Sequence, residues 1–191
     1  TRNQNADEEI GLQCLREATS FYMENIQGKE GKHASEYLQQ RKVSGKMCER
    51  FQIGFSPDKW DETFKNLTQK KIPQSVIART GLIKSSEKSG RFYDTFRGRL
   101  MFPIKDPRGR CIGFGARSLK PGDKPKYLNS PETAYYRKSR TLYGLHEGLD
   151  EIRKKSRIIF VEGYLDVIRL HENGFTETVA PCGTALTAEH L

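Results

Sequence analysis

Residues 158–170 read Ile158-Ile159-Phe160-Val161-Glu162-Gly163-Tyr164-Leu165-Asp166-Val167-Ile168-Arg169-Leu170. Four apolar strand formers stop on a glutamate, Gly163 turns the chain, and a helix starts near Tyr164 with Asp166 four residues after Glu162. The pattern predicts a buried strand over Ile158–Val161, a helix over Leu165–His171 ending at Gly174, and a second strand over Thr178–Ala180, a β-α-β crossover. In an open α/β sheet, ligands bind outside the carboxyl ends of the strands. Two carboxylates at such an end suit a divalent cation held near phosphates. A helix-capping acid beside a solvated aspartate is the other reading of that unit, and the surrounding chain has to decide between them.

Working outward, Leu145–Ile152 reads as a helix before the strand, and Cys182-Gly183-Thr184-Ala185-Leu186-Thr187 reads as a loop of small and hydroxyl residues with Thr187 capping a further helix. Residues 91–140 hold 13 Lys and Arg against 4 Asp and Glu, a net +9 that equals the formal charge of the whole chain. The other residues balance at 20 against 20. Charge confined to one segment points to a surface with a polyanionic partner. This segment is interleaved with Phe92, Tyr93, Phe96, Met101, Phe102, Ile104, Ile112, Phe114 and Tyr127, so it is folded rather than a basic tail. Cations for phosphates with a few rings for bases suit a nucleic-acid strand, most of the rings being core.

The same segment has strand and turn chemistry. Leu100–Ile104 and Cys111–Ala116 read as a hairpin joined by Asp106-Pro107-Arg108-Gly109. Gly113-Phe114-Gly115 lacks the third glycine and the helix of a dinucleotide loop, so close packing explains it better. Lys124 through Thr133 is extended and polar, with Pro125 and Pro131 excluding helix. Before the break at Lys84–Gly90, an expected exposed loop, the chain reads as helical from Asp7 to Arg79. Apolar stripes run through Ile10, Leu12, Leu15, Ala18, Tyr22 and Ile26, then Ala34, Tyr37 and Leu38, then Met47 and Phe51 behind the cap Ser44. Trp60, Phe64 and Leu67 predict one more helix, and Val76 and Ile77 a short one opened near Pro73.

The chain has 191 residues, 35% hydrophobic and 30% charged, enough for one moderate core or two small ones. No apolar run approaches the roughly 20 residues of a membrane span, and residues 1–9 have no signal-peptide character, so no membrane partner and a cytoplasmic location are expected. Cys14, Cys48, Cys111 and Cys182 are far apart in sequence, as are the four histidines, which predicts free thiols and neither a zinc site nor a disulfide framework.

Five motifs in order carry a family resemblance: Met101-Phe102-Pro103-Ile104, Ile112-Gly113-Phe114-Gly115-Ala116-Arg117, Lys126-Tyr127-Leu128-Asn129-Ser130-Pro131-Glu132-Thr133, Glu162-Gly163-Tyr164-Leu165-Asp166-Val167 and Gly183-Thr184-Ala185-Leu186-Thr187. Together they resemble the bacterial replicative primases of the DnaG type, and the likeness extends to Tyr37-Leu38 and Phe51-Gln52-Ile53-Gly54-Phe55. Ala116 departs from the family, which usually has a second glycine there, and Pro181-Cys182 replaces a small or hydroxyl residue and an apolar one.

The resemblance implies an α/β fold: a mixed α+β basic subdomain over 1–153, helical over 7–80 and strand-and-loop over 91–141, followed by the first part of a Rossmann-like toprim unit over 154–191. It implies Glu162 and Asp166 as catalytic and metal-binding carboxylates for Mg2+ or Mn2+, with the remaining ligands in an Asp-x-Asp pair beyond Leu191. It also implies Arg97, Arg99, Arg117, Lys126, Tyr127, Lys138, Gly183 and Thr184 as residues facing template and nucleotide. The expected partners are single-stranded DNA, ribonucleoside triphosphates and the RNA–DNA hybrid. A replicative helicase would bind through a region outside this chain, and zinc would belong to a separate amino-terminal module. The implied activity is primer synthesis by metal-dependent nucleotidyl transfer at the bacterial replication fork, with this stretch inactive alone. Another toprim enzyme, a topoisomerase or nuclease, and a non-catalytic single-strand-binding module stand as alternatives.

Overall fold

The computed structural model describes residues 2–190, with side chains from Asp7 onward. The hairpin predicted from the apolar runs forms the centre of the fold. Strands β4 (Arg99–Lys105) and β5 (Cys111–Ser118) pair antiparallel, flanked by β1 (Gly54–Ser56) on β4 and β6 (Tyr127–Asn129) on β5. The unbroken apolar run of β4 follows from burial on both faces. Leu100, Phe102 and Ile104 enter one core with Phe51, Phe55, Tyr143 and Tyr164, while Met101 points to the other, beside Leu15, Tyr22, Phe96 and Phe114. Each side of the sheet thus carries its own hydrophobic cluster.

The second cluster is roofed by α1 (Arg2–Gln27), whose stripe of Cys14, Leu15, Ala18 and Tyr22 is buried, and by α4 (Glu62–Gln69) and α5 (Gln74–Arg79). Leu12, expected on that stripe, lies at its edge and is half-buried. Around the first cluster sit α2 (Lys32–Gln40) and α3 (Gly45–Arg50), the latter capped as the sequence predicts, with Ser44 Oγ accepting from Met47 N at 3.2 Å.

Two expectations in this half change. The helix predicted from Trp60 starts at Glu62 instead, because its first amides find a distant acceptor: buried Asp94 takes hydrogen bonds from Thr63 N (2.7 Å) and Phe64 N (3.0 Å). Burial pushes the Asp94 carboxyl up to about 6. The exposed loop expected at Lys84–Gly90 is the tip of a small hairpin, β2 (Ile83–Ser85) with β3 (Phe92–Asp94).

Beyond the β4–β5 hairpin, β7 (Leu142–Tyr143) leads into α6 (Leu145–Lys155), then β8 (Ile159–Phe160), α7 (Tyr164–Glu172) and β9 (Thr178–Pro181). β8 and β9 are parallel across α7, the predicted crossover, while β7 adds antiparallel to the other edge of β9. β8 is half-buried rather than buried as expected, since among the described residues it pairs on one edge only. The helix expected after Thr187 is a single 3-10 turn, Ala188–His190. Thr187 Oγ1 donates to Ser139 O (3.1 Å) instead of capping, and His190 Nε2 donates to Lys138 O (2.8 Å).

Both halves are joined through buried polar contacts as well as apolar ones. Lys105 Nζ, at the end of β4, pairs with Glu147 of α6 at 2.8 Å with both side chains almost fully buried. All four cysteines are free, and Cys14, Cys111 and Cys182 are buried. No described helix is long and apolar enough to cross a membrane.

Candidate nucleic-acid interface and acidic turn

Arg117, near the end of β5, is 8% exposed, with its guanidinium carbon 4.3 Å from the ring centre of Tyr37 on α2 and 5.9 Å from that of Tyr127 on β6. A guanidinium held between two rings keeps its charge while losing water, which strengthens its field at the surface. Arg117 Nη1 reaches Ser118 O at 3.3 Å, but Arg117 Nε and the Tyr37 hydroxyl are buried with no hydrogen-bond partner among the described residues. Such orphaned polar groups are uncommon in a folded protein. Arg41, its guanidinium carbon 5.3 Å from the centre of the same Tyr37 ring, adds a second cation.

The other predicted basic residues divide. Lys126 and its neighbour Lys124 are exposed and Lys138 is half-buried, and none of the three has a carboxylate within ion-pair distance among the described residues. Tyr127 is 43% exposed. Arg99 is buried: Nη1 donates to Pro125 O at 2.8 Å and Nη2 pairs with Asp123 at 3.3 Å, so it fastens the 120–126 loop to β4. The Ser118 hydroxyl and then Arg99 hold the Asp123 carboxyl below its ordinary range. A cleft of about 480 Å³ opens between Tyr37, Arg117 and this loop, and a second of about 370 Å³ runs on from the loop to Arg97.

Glu162 and Asp166 are both exposed, at the carboxyl end of β8 and in the first turn of α7. Neither has an ion-pair or hydrogen-bond partner among the described residues. Asp166 Oδ2 lies 2.9 Å from where a Cβ on Gly163 would stand, so a glycine between the two acids leaves the carboxylate room. No group of three or more His, Cys, Asp or Glu side chains gathers into a metal site among the described residues.

Tyr164, the residue after Gly163, links the two regions. Its ring is buried against Gly115, where a Cβ would come within 2.2 Å of it, and lies 6.5 Å from the Tyr127 ring. Its hydroxyl donates to Asn129 Oδ1 on β6 at 2.6 Å, and the Asn129 amide faces Gly183, whose φ of +73° has no room for a side chain. Gly183 and exposed Thr184 thus lie at the carboxyl end of β9, beside β6 and near the turn that carries Glu162.

From the sequence Tyr37 is expected in a packing stripe, and neither Arg41 nor Asn129, the latter quoted only within a motif, is expected as a site residue. Tyr37 and Arg41 are four apart, the helical spacing that brings two side chains together, which was the available signal.

These features coincide with a known family. The DNA primase catalytic core N-terminal domain matches residues 21–149 and the toprim domain matches residues 156–191. The DNA primase of Deinococcus radiodurans is 42% identical over 176 residues, 92% of this chain, and the chain spans 31% of that protein's length. The RNA polymerase domain of Mycobacterium tuberculosis primase DnaG, in a crystal structure with a double-stranded DNA oligomer bearing a 6-nucleotide overhang, superposes with a TM-score of 0.91 at 35% identity. That likeness covers 95% of this chain and 57% of that one. A DnaG primase catalytic domain bound to single-stranded DNA superposes at 0.89 with 39% identity, covering 97% of this chain and 59% of that one. The chain therefore belongs to the DnaG-type bacterial DNA primases and corresponds to part of their catalytic core.

Proposed function

We propose that this chain belongs to a bacterial primase that synthesises RNA primers on single-stranded DNA, and that it supplies the template groove and the first two carboxylates of the catalytic centre. The observation that carries the reading is the Tyr37–Arg117–Tyr127 sandwich with Lys124 and Lys126, unpaired among the described residues, lining the same cleft, tied through Asn129 and Tyr164 to the turn bearing Glu162 and Asp166. The cations meet template phosphates, and the exposed face of Tyr127 offers a ring to a base. Arg97 and Arg99 shape the same wall, and Gly183 and Thr184 stand where an incoming ribonucleoside triphosphate would meet the acidic turn.

Glu162 and Asp166 fit a divalent cation as a partial ligand set: two exposed, unpaired oxygen donors around a glycine, the hard-donor chemistry that Mg2+ and Mn2+ take. A cation bound there supplies charge neutralisation and alignment for in-line displacement. The primer 3′ hydroxyl bonds to the α-phosphorus of the ribonucleotide, its proton passes to a base, and pyrophosphate leaves. Within this reading, this chain's part is to present the two carboxylates from a turn held by Tyr164. Two carboxylates are a partial ligand set, and within this reading the 191 residues alone bind template without polymerising.

The division is part of the same reading: a template-binding unit over 1–153 and the first part of a toprim unit over 154–191, sharing a sheet through β7 and β9. So are a cytoplasmic setting at the replication fork, contact with the RNA–DNA hybrid and a replicative helicase, and a zinc module elsewhere in the protein.

Fluorescence anisotropy of labelled single-stranded DNA against the chain over a range of salt tests the groove. Affinity is expected to fall steeply, log K against log salt following a slope of about −0.7 per phosphate neutralised. Affinity independent of salt removes the groove from the account. The non-catalytic binding-module reading would be favoured by retained primer synthesis in a primase lacking both Glu162 and Asp166 carboxylates.

A further inference from the structure

Helix α7 grips the end of α2 as well as carrying Asp166. Arg169 Nη1 donates to the carbonyls of Arg41 (3.1 Å) and Lys42 (2.9 Å), and Glu172 Oε2 accepts from Ser44 N at 3.0 Å. The partners of each bond lie 127 or 128 positions apart in the chain. Together they bracket the turn that joins α2 to α3. A cation meets the carbonyls where one helix ends and an anion meets an amide where the next begins, each the sign that such a helix end favours.

The gripped turn has a defined geometry of its own. Val43 N donates to Leu38 O at 3.0 Å and Lys42 N to Gln39 O at 2.8 Å, the two bonds of a Schellman ending. Lys42 takes the left-handed position of that motif at φ +56°, where glycine is usual and a side chain is disfavoured. The Arg41 and Lys42 carbonyls lie past the last bonds of α2, and Arg169 supplies their donor. Back along α2, Tyr37 lies against Arg117, and Arg41 lies against Tyr37. Thus α7 is fastened at both ends: Tyr164 bonds Asn129 from its first turn, and Arg169 and Glu172 hold the end of α2 from its last.

We propose that Arg169 and Glu172 are positioning residues, which keep α2 with its Tyr37 and Arg41 in register with the carboxylates of Glu162 and Asp166. This rests on the proposed function above and adds a link between groove wall and acidic turn that requires neither side chain to touch DNA. Because Asp166 and Arg169 share one nine-residue helix, loss of the clamp shifts the template against the two acids rather than releasing it.

Full-length primase is assayed for primer synthesis over a range of template concentrations, with single-stranded DNA binding followed by anisotropy on the same preparations. Arg169→Ala is expected to lower kcat by about 10- to 100-fold, the scale of a small misplacement, with the Kd for DNA within about threefold. Arg169→Lys keeps a donor for the two carbonyls and is expected to recover most of the loss. Glu177→Gln, which breaks a cluster with Arg157 and Lys155, is expected to leave kcat unchanged where all variants are folded, separating positioning from general stability. On the 191-residue chain, Glu172→Ala is expected to speed hydrogen exchange of the Ser44 amide, and continued protection of that amide overturns the clamp. A kcat within about twofold of the unmodified enzyme in Arg169→Ala and Glu172→Ala overturns the proposal, as does a loss shared equally by kcat and DNA affinity. If Arg169→Ala does not fold, Glu172→Ala is judged by the same kcat and Kd criteria. DNA binding that ignores salt in the unmodified chain removes the groove reading and the proposal with it, whereas salt-dependent binding with unchanged kcat in the variants removes the clamp alone.

Discussion

The hydroxyl of Tyr164 donates to Asn129 Oδ1 at 2.6 Å, a bond between the turn carrying the acidic pair and β6, the strand that begins at Tyr127 directly after Lys126. Burial pushes the Tyr164 phenol far above its ordinary pKa, so it remains a neutral donor at every working pH. Tyr164→Phe leaves Asn129 Oδ1 without this partner. Unfolding stability is expected to fall by about 1–2 kcal/mol, measured by urea denaturation. In full-length primase the same change is expected to reduce primer synthesis more than template affinity. Equal losses in both would mean that Tyr164 supports the fold without positioning the turn.

Gly115 sits beneath that ring. A Cβ added there would stand 2.2 Å from Tyr164 Cε2, and the ring is packed against Phe102 (5.5 Å) and Tyr143 (4.6 Å), so it has nowhere to go. Gly115→Ala is expected to destabilise by about 1–3 kcal/mol, the cost of overpacking a filled core, seen as a lower Tm by calorimetry. Ala116, where the family usually has glycine, is already buried on the opposite face of β5. A methyl at 116 is thus accommodated where one at 115 meets the Tyr164 ring.

How far these relationships were readable beforehand depends on how local they are. The β4–β5 hairpin was legible because turn residues and two long apolar runs all lie within residues 99–118. The α7 crossover was legible because Gly163 and Gly174 bracket an apolar run. Strands β1, β2, β3 and β7 were not, each two or three residues long and formed by pairing with a distant partner rather than by its own pattern. Within the site, the charge of residues 91–140 announced a polyanion, but it did not separate Arg117, held between two rings, from Arg99, which ties down a loop. Asn129 carries no charge and no periodicity, and its role arises from a residue 35 positions away in the chain, Tyr164.

Glu162→Gln keeps the size of the side chain and removes its charge. Glu162 is exposed and forms no ion pair among the described residues, so stability is expected to change by less than about 0.5 kcal/mol. In full-length primase, primer synthesis is expected to be lost while the affinity for single-stranded DNA stays within about twofold of the unmodified protein, since the groove cations are untouched. Primer assays and anisotropy on the same preparation check it. Retained synthesis would take Glu162 out of the chemistry.

Acid stability gives a prediction independent of function. Glu177, the residue before β9, has its carboxylate closed off from solvent, bonded to Arg157 and to Lys155 (3.0 Å). The Arg157 contact, then the backbone and Lys155, hold its pKa at about 2 against an ordinary 4.5. A carboxyl whose folded pKa lies below its unfolded value releases its proton more readily in the native state. Its stabilisation is therefore complete above about pH 4.5 and is lost as pH falls toward about 2. Glu177→Gln is expected to be less stable than the parent at neutral pH and to show a flatter decline through that window, because the titrating group is gone while Arg157 and Lys155 keep their charge. Urea denaturation of both proteins at pH 7, 4.5 and 3 measures the difference. Parallel curves for the two proteins over this range would mean that the Arg157–Glu177–Lys155 cluster contributes nothing to acid resistance, whereas convergence at low pH is what a depressed native-state pKa requires.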